Sequence, residues 1–300
     1  MAPQLPQVSV VLATYNWSEV LPYSIGSVLA QSFEDFELIV VGDACTDDSE
    51  AVVSAIADPR VRWINLPANS GHQSAPNNAG IERARGDLIA YLGHDDLWLP
   101  HHLEAMVAAI EAGSDMAYGI TSRIVPAGDP DDLPACRITW PGAWVPPSSV
   151  VHRRSLIDQV GGWRDYRTLT INPESDLWRR FHAAGARIEF VPRLGTIKFP
   201  ASKRGDVYRE RPNHEQAEWW ARIRDEKNFE AVELARLLAA AVARSREKPY
   251  GELLAEIFRR TAAGIARRLA GPKPGSTIEA YRRFKGLDSK PPELEEKEAR

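Results

Sequence analysis

Val8-Ser9-Val10-Val11-Leu12-Ala13-Thr14-Tyr15-Asn16 decides how this chain is read. Val8 to Leu12 is a short β-type run, apolar but for Ser9, and it ends in a polar turn. From Ser18 onward, Leu21, Ile25, Val28 and Leu29 recur at helical spacing. A short apolar run bounded by a turn reads as a buried strand. The same alternation continues downstream. Phe36 to Val41 is a second strand running into Gly42-Asp43-Ala44-Cys45-Thr46-Asp47-Asp48, where Asp47 and Glu50 have capping-box spacing ahead of Val52, Val53 and Ile56. Val61 to Leu66 is a third, followed by Asn69-Ser70-Gly71-His72. Asp87 to Leu92 is a fourth, ending in Gly93-His94-Asp95-Asp96. After Pro100, Leu103, Met106, Val107 and Ile110 share one helical face, and Gly113 closes the helix.

Strands alternating with helices predict an α/β fold with a mostly parallel sheet covered on both faces. Ligands bind such sheets beyond the carboxyl ends of the strands. Three of those ends carry Thr14-Tyr15-Asn16, Asp43 and His94-Asp95-Asp96, which are therefore predicted to converge. Farther on, residues 126–137 read as a surface loop and Ser148 to His152 as a strand. Leu156, Ile157 and Val160 form a short helix before Gly161, and Asp176 to Ala184 a helix closed by Gly185. Ile188 to Val191 is another strand. Beyond about residue 205 the pattern is helical, over Glu215 to Arg244 and Tyr250 to Ala270, and residues 291–300 form a charged tail. The expected division is an α/β domain over 1–205 and a helical extension over 206–300. No internal repeat is present.

Composition narrows the function classes. A chain of 300 residues with 44% hydrophobic and 26% charged residues suits one large domain, or one with an appendage, at about 150 residues per domain. No run approaches the ~18 apolar residues of a membrane span, and Val8 to Leu12 is too short for a signal sequence. Cys45 and Cys136 make neither a disulfide framework nor a four-thiolate zinc site, which suits a reduced cytoplasmic setting. A net charge of -4 gives no electrostatic case for nucleic acid.

Each candidate functional group has a structural competitor. Asp95 and Asp96 could be solvated turn carboxylates; at the ligand edge they could instead hold Mg or Mn against substrate phosphate. Asp43 could close an Asx-turn or accept from a base or ribose. Glu174 and Asp176 begin a helix, where the dipole favours carboxylates, yet either could take the proton of an attacking hydroxyl. Lys203 and Arg204 are either solvated cations or donors on a closing loop. Trp219 and Trp220 face different ways on one helix, so one of the two is expected against the core. The final helix sets Ile257, Phe258, Ile265 and Leu269 against paired arginines, a face for the core, a partner subunit or an anionic membrane surface.

Four segments in order resemble glycosyltransferase family 2. They are Val8 to Asn16, Phe36 to Asp47, Ala84 to Pro100 and Glu174 to Gly185, so the likeness spans roughly residues 7–200. The resemblance implies a GT-A fold, a nucleotide-diphosphate sugar donor (UDP-, GDP- or dTDP-linked), Mg or Mn, and inversion at the anomeric carbon. It implies that Thr14, Tyr15, Asn16 and Asp43 hold the nucleoside. His94 and Asp95 would lie at the donor phosphates with Lys203 and Arg204, and Asp95, with Asp96, at the metal. Glu174 is the implied base, Asp176 its alternative, and the acceptor a glycan, a lipid-linked sugar or a small molecule. Three positions depart from the family pattern. Gly93 replaces the first acid of the DXD motif, Gly42 replaces the first acid of the strand-two pair, and the loop Asn69 to Gly80 lacks the usual Arg. A catalytically inactive, nucleotide-sugar-binding relative is the competing expectation. A nicotinamide-dependent oxidoreductase is set aside, because Thr14-Tyr15-Asn16 contains no glycine-rich turn.

Overall fold

The four apolar runs form the middle and one edge of a single eight-stranded sheet. The structure is a computed structural model described over residues 5–126, 144–247 and 273–287. Strands β1 (Val8–Thr14), β2 (Phe36–Gly42), β3 (Val61–Asn65) and β4 (Leu88–Gly93) pair in parallel, in the order β3-β2-β1-β4. Alternate residues face opposite sides of a strand, and in β1, β2 and β4 both sides are buried, whereas β3 at the sheet edge is only partly covered. Val8, Val10, Leu12, Leu38 and Val40 pack under helices α1 (Leu21–Leu29) and α4 (His102–Glu111). Val11, Ile39, Val41 and Tyr91 meet Ile81 of α3 (Ser74–Arg83) and Trp178 of α6 (Pro173–Ala183) on the other side. That two-sided burial is why these strands read as near-continuous apolar runs. The exceptions, Ser9 and Glu37, are cross-strand partners, and Ser9 Oγ donates to Glu37 Oε1 at 2.7 Å.

The register levels the strand ends. Thr14 lies opposite Gly42, and Ala13 opposite Gly93, so Thr14, Asp43 and His94 leave the sheet together, as the topology rule predicts.

Past β4 the sheet is mixed rather than parallel. It continues through β7 (Val150–Arg153), β6 (Met116–Arg123), β8 (Ile188–Lys198) and β5 (Leu97–Trp98), and β7 runs antiparallel to both β4 and β6. The sequence pattern missed β5, only two residues long, and β6, whose Gly119 and polar Thr121 and Ser122 break any run. Strand β8 also runs past Val191 to Lys198. The capping box at Asp47 does not form. Asp47 Oδ1 accepts from Ser49 N and Oγ ahead of α2 (Ser49–Ser54), and its Oδ2 accepts from Ser18 N, joining the β1 and β2 turns. The expected helix Glu215 to Arg244 is two, α8 (His214–Asp225) and α9 (Phe229–Glu247), parted near Asn228 at φ 61°.

Helices α8 and α9 share a core with β5 and β8, where Leu97, Leu194, Ile197 and Phe199 meet Ile223 and Phe229. Trp219 and Trp220 are both half-buried at its rim, not one in and one out. A short helix, α5 (Ser155–Val160), precedes Gly161, and another, α7 (Val207–Glu210), follows β8. The last described helix, α10 (Ser276–Phe284), returns to the carboxyl edge of the sheet. Cys136, most of the loop 126–137, the segment Tyr250 to Ala270 with its arginine pairs, and the tail 291–300 lie outside the described residues. Among those described, no helix is long and apolar enough to cross a membrane.

Candidate active site

A cavity of about 800 Å³ opens at the carboxyl edge of β1, β2 and β4, within the usual size for a small-molecule site. Thr14, Tyr15, Asp43, His94, Asp95 and Glu174 all line it.

Asp43 is held by the loop after β3. Its Oδ1 accepts from Ser70 N at 2.9 Å and its Oδ2 from Gly71 N at 3.2 Å. Gly71, at φ 83°, adopts the left-handed backbone that this turn requires. Burial raises the Asp43 pKa, against these backbone donors. His94 sits between Thr14 and Tyr208. Its Nδ1 accepts from Tyr15 N at 3.4 Å and lies 3.0 Å from Thr14 Oγ1, which places the ring proton on Nε2, 3.3 Å from Tyr208 Oη. Burial pushes the His94 pKa down to about 4, so at neutral pH the ring is uncharged. Asn16, at φ 45°, stands outside the cavity lining, and its Oδ1 accepts from Thr46 N at 2.7 Å, stitching the β1 and β2 turns together.

The two acids after β4 part company. Asp95 faces the cavity. Asp96 is 0% exposed and accepts from Lys198 Nζ at 2.8 Å, from Phe199 N at 3.1 Å and from Ser148 Oγ. Lys198 is pulled down by burial, but Asp96 and Asp95 outweigh that and hold it above its ordinary value. The glycine departures acquire physical reasons. A Cβ on Gly93 would meet Asp96 Oδ2 at 2.9 Å and Asp95 Oδ1 at 3.2 Å. One on Gly42 would meet Asn65 Oδ1 at 2.6 Å and the Trp63 ring at 2.7 Å. Both places where the family pattern has an acid are already filled.

Glu174 opens α6 behind Pro173 and lines the same cavity. Trp144 Nε1 donates to its Oε1 at 2.8 Å, and burial raises its pKa against that bond. Asp176, outside the lining, accepts from Arg180 Nε at 2.9 Å, and Arg180 also clamps the carbonyls of Val160, Gly161 and Gly162. Lys203 lines the cavity, whereas Arg204 makes a two-pronged pair with Glu215 at 2.8 and 2.7 Å and is not in the lining.

Sequence reasoning missed Lys198, Trp144, Arg282 and Lys285. The last two come from α10 and the turn after it, where no local motif marks them. Arg282 Nη1 donates to Gly71 O, and Arg167 Nη2 donates to Ser70 O at 2.9 Å. Arginines from distant segments thus serve the loop that lacks one of its own.

Comparisons with known proteins bear on the family and the fold. The sequence profile of Glycosyl transferase family 2 matches residues 9–146. EpsE of Bacillus subtilis, described as a glycosyltransferase, is 30% identical over 197 residues, covering 61% of this chain and 69% of its own. The chain belongs to glycosyltransferase family 2. Another relative, the succinoglycan biosynthesis protein ExoO of Rhizobium meliloti, is 42% identical over 109 residues, 36% of this chain and 31% of ExoO. A Nostoc glycosyltransferase of uncharacterised role is 29% identical over 172 residues, 51% of this chain, so the match spans 53% of that relative's length. Among solved structures, S. aureus TarS with UDP-GlcNAc superposes with a TM-score of 0.56 at 20% identity, covering 77% of this chain and 71% of that one. The Pyrobaculum calidifontis mannosyltransferase PcManGT, in complex with GDP-Man and Mn2+, gives 0.54 at 18%, covering 95% and 89%. At these identities the likeness shows the fold, and the expected GT-A architecture is borne out.

The residues present fit a divalent cation at one protein ligand. Hard cations take oxygen donors, and Mg can be held by one or two carboxylates with substrate phosphates and water. Asp95 supplies one such carboxylate, whereas that of Asp96 is engaged by Lys198. Among the described residues no three His, Cys, Asp or Glu side chains gather around one point.

Proposed function

We propose that this family 2 member moves a sugar from a nucleoside-diphosphate donor to an acceptor hydroxyl with inversion, and that Glu174 is the base. One observation carries the reading: Asp43, Asp95 and Glu174, from three separate parts of the chain, face a single cavity. Thr14, Tyr15 and Asp43 take the nucleoside at the strand ends, and Asp95 marks the diphosphate. Asp95 would hold Mg or Mn, which when bound supplies countercharge to the departing diphosphate. Trp144 fixes Glu174 Oε1 and leaves Oε2 to accept the acceptor's proton as its oxygen attacks the anomeric carbon. A single displacement of this kind inverts that centre. Burial raises the Glu174 pKa, which strengthens it as a base once ionised. Asp176, pinned by Arg180, is the poorer candidate.

The donor is a UDP-, GDP- or dTDP-sugar, and the acceptor a glycan, a lipid-linked sugar or a small molecule. A lipid-linked acceptor would suit a cytoplasmic protein meeting a membrane face through residues 257–269, where apolar residues and arginine pairs are interspersed in the sequence. The test is a thermal-shift panel of the three donor classes, with and without Mn, followed by nucleoside diphosphate release in the presence of acceptor. Donor binding should raise Tm. No stabilisation by any donor refutes the reading, and stabilisation without turnover would make the protein a binding relative.

A further inference from the structure

The charge around the cavity is the reverse of what the acids at the strand ends suggest. Among the described residues its wall carries Asp43, Asp95 and Glu174, but also Arg123, Arg179, Lys198, Lys203, Arg282 and Lys285. Cations outnumber acids there, in a chain whose net charge is -4. A concave site with an excess of one sign focuses its field on ligands of the other.

Two of these cations arrive on the last described segment, which is fastened to the α/β layer at separate points. Asp206 N donates to Phe284 O at 2.9 Å, Tyr208 N to Lys285 O at 3.0 Å, and Gly275 N to Leu169 O at 2.8 Å, while Arg282 reaches Gly71 O. The turn fits closely, since a Cβ on Gly286 would meet the Arg209 side chain at 2.9 Å. Tyr208, which receives the turn through its backbone, also presents its hydroxyl to His94. Main-chain bonds therefore fix the turn that carries Lys285 into the cavity wall.

We infer that Lys285 binds the donor's diphosphate, and that with Lys198 it supplies countercharge from the protein itself at the place where Asp95 would hold a cation. The inference rests on the donor reading above. Lys285 shares the cavity wall with Asp95, Glu174, Lys198 and Arg282 and feels the charge of all four. Lys198 is engaged by Asp96, whereas none of the ion pairs among the described residues takes Lys285. Burial, Lys198 and Arg282 push its ammonium below the ordinary lysine value, against Asp95 and Glu174. A phosphate oxygen in that position would relieve the crowding of three cations and form a charge-assisted hydrogen bond.

The test is titration calorimetry of the full chain with UDP, GDP, UMP and GMP, in EDTA and in Mn, on wild type, Lys285→Gln and Lys285→Arg. Wild type should bind a nucleoside diphosphate in EDTA. Lys285→Gln should weaken that binding roughly 10- to 100-fold while leaving the matching monophosphate nearly unchanged. Lys285→Arg should restore most of the loss. The inference is overturned if the Gln variant binds the diphosphate as wild type does, or loses mono- and diphosphate equally. It is also overturned if wild type binds diphosphate only with Mn. These results leave the transferase reading standing. No binding of any nucleotide by wild type in either condition would remove both.

Discussion

Asp96→Asn separates a carboxylate that holds the fold from Asp95, the one proposed to hold a cation. Asp96 is fully buried, and its oxygens take Lys198 Nζ, Phe199 N and Ser148 Oγ. Asparagine keeps the shape but removes the charge, and turns one acceptor into an NH2 group facing donors. Lys198, with 16% of its side chain exposed, is left without its partner. Breaking one side of a buried pair costs roughly 3–5 kcal/mol. Because Lys198 borders the cavity and can recruit water, the lower end, about 3 kcal/mol, applies here. At ~2–4 °C per kcal/mol for a chain of this order, Tm should fall by about 6–12 °C. Asp95→Asn should move it far less, since no other described residue donates to that carboxylate. Differential scanning calorimetry of both variants, in EDTA and in Mn, reads the contrast. An Asp96→Asn protein with wild-type Tm that had lost its Mn-dependent stabilisation would refute the structural role and make Asp96 a ligand.

Glu174→Gln should lower kcat roughly 10²- to 10⁴-fold with donor affinity retained. Because burial raises the Glu174 pKa, the acid limb of the wild-type rate profile should lie above the ordinary glutamate value and vanish in the variant. Ala44 has φ 59°, where a Cβ costs ~1–2 kcal/mol, against ~0.4–1 kcal/mol for the extra freedom of an unfolded glycine. Ala44→Gly should therefore stabilise by about 0.5–1 kcal/mol, read from the urea midpoint. Burial pushes Glu37 up, but Ser9, Arg85 and Arg62 together hold it below its ordinary value. Its contribution is thus present above the unfolded pKa and lost as pH falls through the native one. Glu37→Gln should cost about 2 kcal/mol at neutral pH, discounted for half-exposed arginines, and flatten the acid side of the stability profile.

Much of the fold is legible because burial on both faces leaves β1, β2 and β4 as nearly continuous apolar runs. Convergence of Thr14, Asp43 and Asp95 follows from parallel strands whose ends are level. What was not legible depends on contacts far apart in sequence. Nothing near Asp96 announces that Lys198, on β8, will engage it. Nothing in the basic stretch Arg282 to Lys285 distinguishes a solvated helix end from a cavity wall, because both call for the same residue types. Gly42 and Gly93 looked like losses of function, and only the positions of Trp63, Asn65 and the Asp95–Asp96 carboxylates show that those spaces are filled. Lys203 and Arg204 read alike, as solvated cations or phosphate donors, and only Glu215, 11 residues away in sequence and 2.7 Å from Arg204, separates them.

These observations bear on how one cavity can seat both a base and a polyanion. From the sequence alone, clustered carboxylates leave a bound cation as the evident means of holding a diphosphate. The folded chain offers a second means, because β8 and the segment after α10 bring ammonium groups to the same cavity. Their placement also serves Glu174. A cation nearby favours the ionised carboxylate, and a diphosphate would draw that same cation away from it. If Lys285 pairs with the phosphates, donor binding should move the Glu174 pKa upward, making the base stronger only once there is a sugar to transfer. The acid limb of the single-turnover rate with saturating donor should then lie at higher pH than the same limb for kcat/KM at limiting donor, and Lys285→Gln should bring the two together. Coincident limbs in the wild type would show that the lysine and the base act independently.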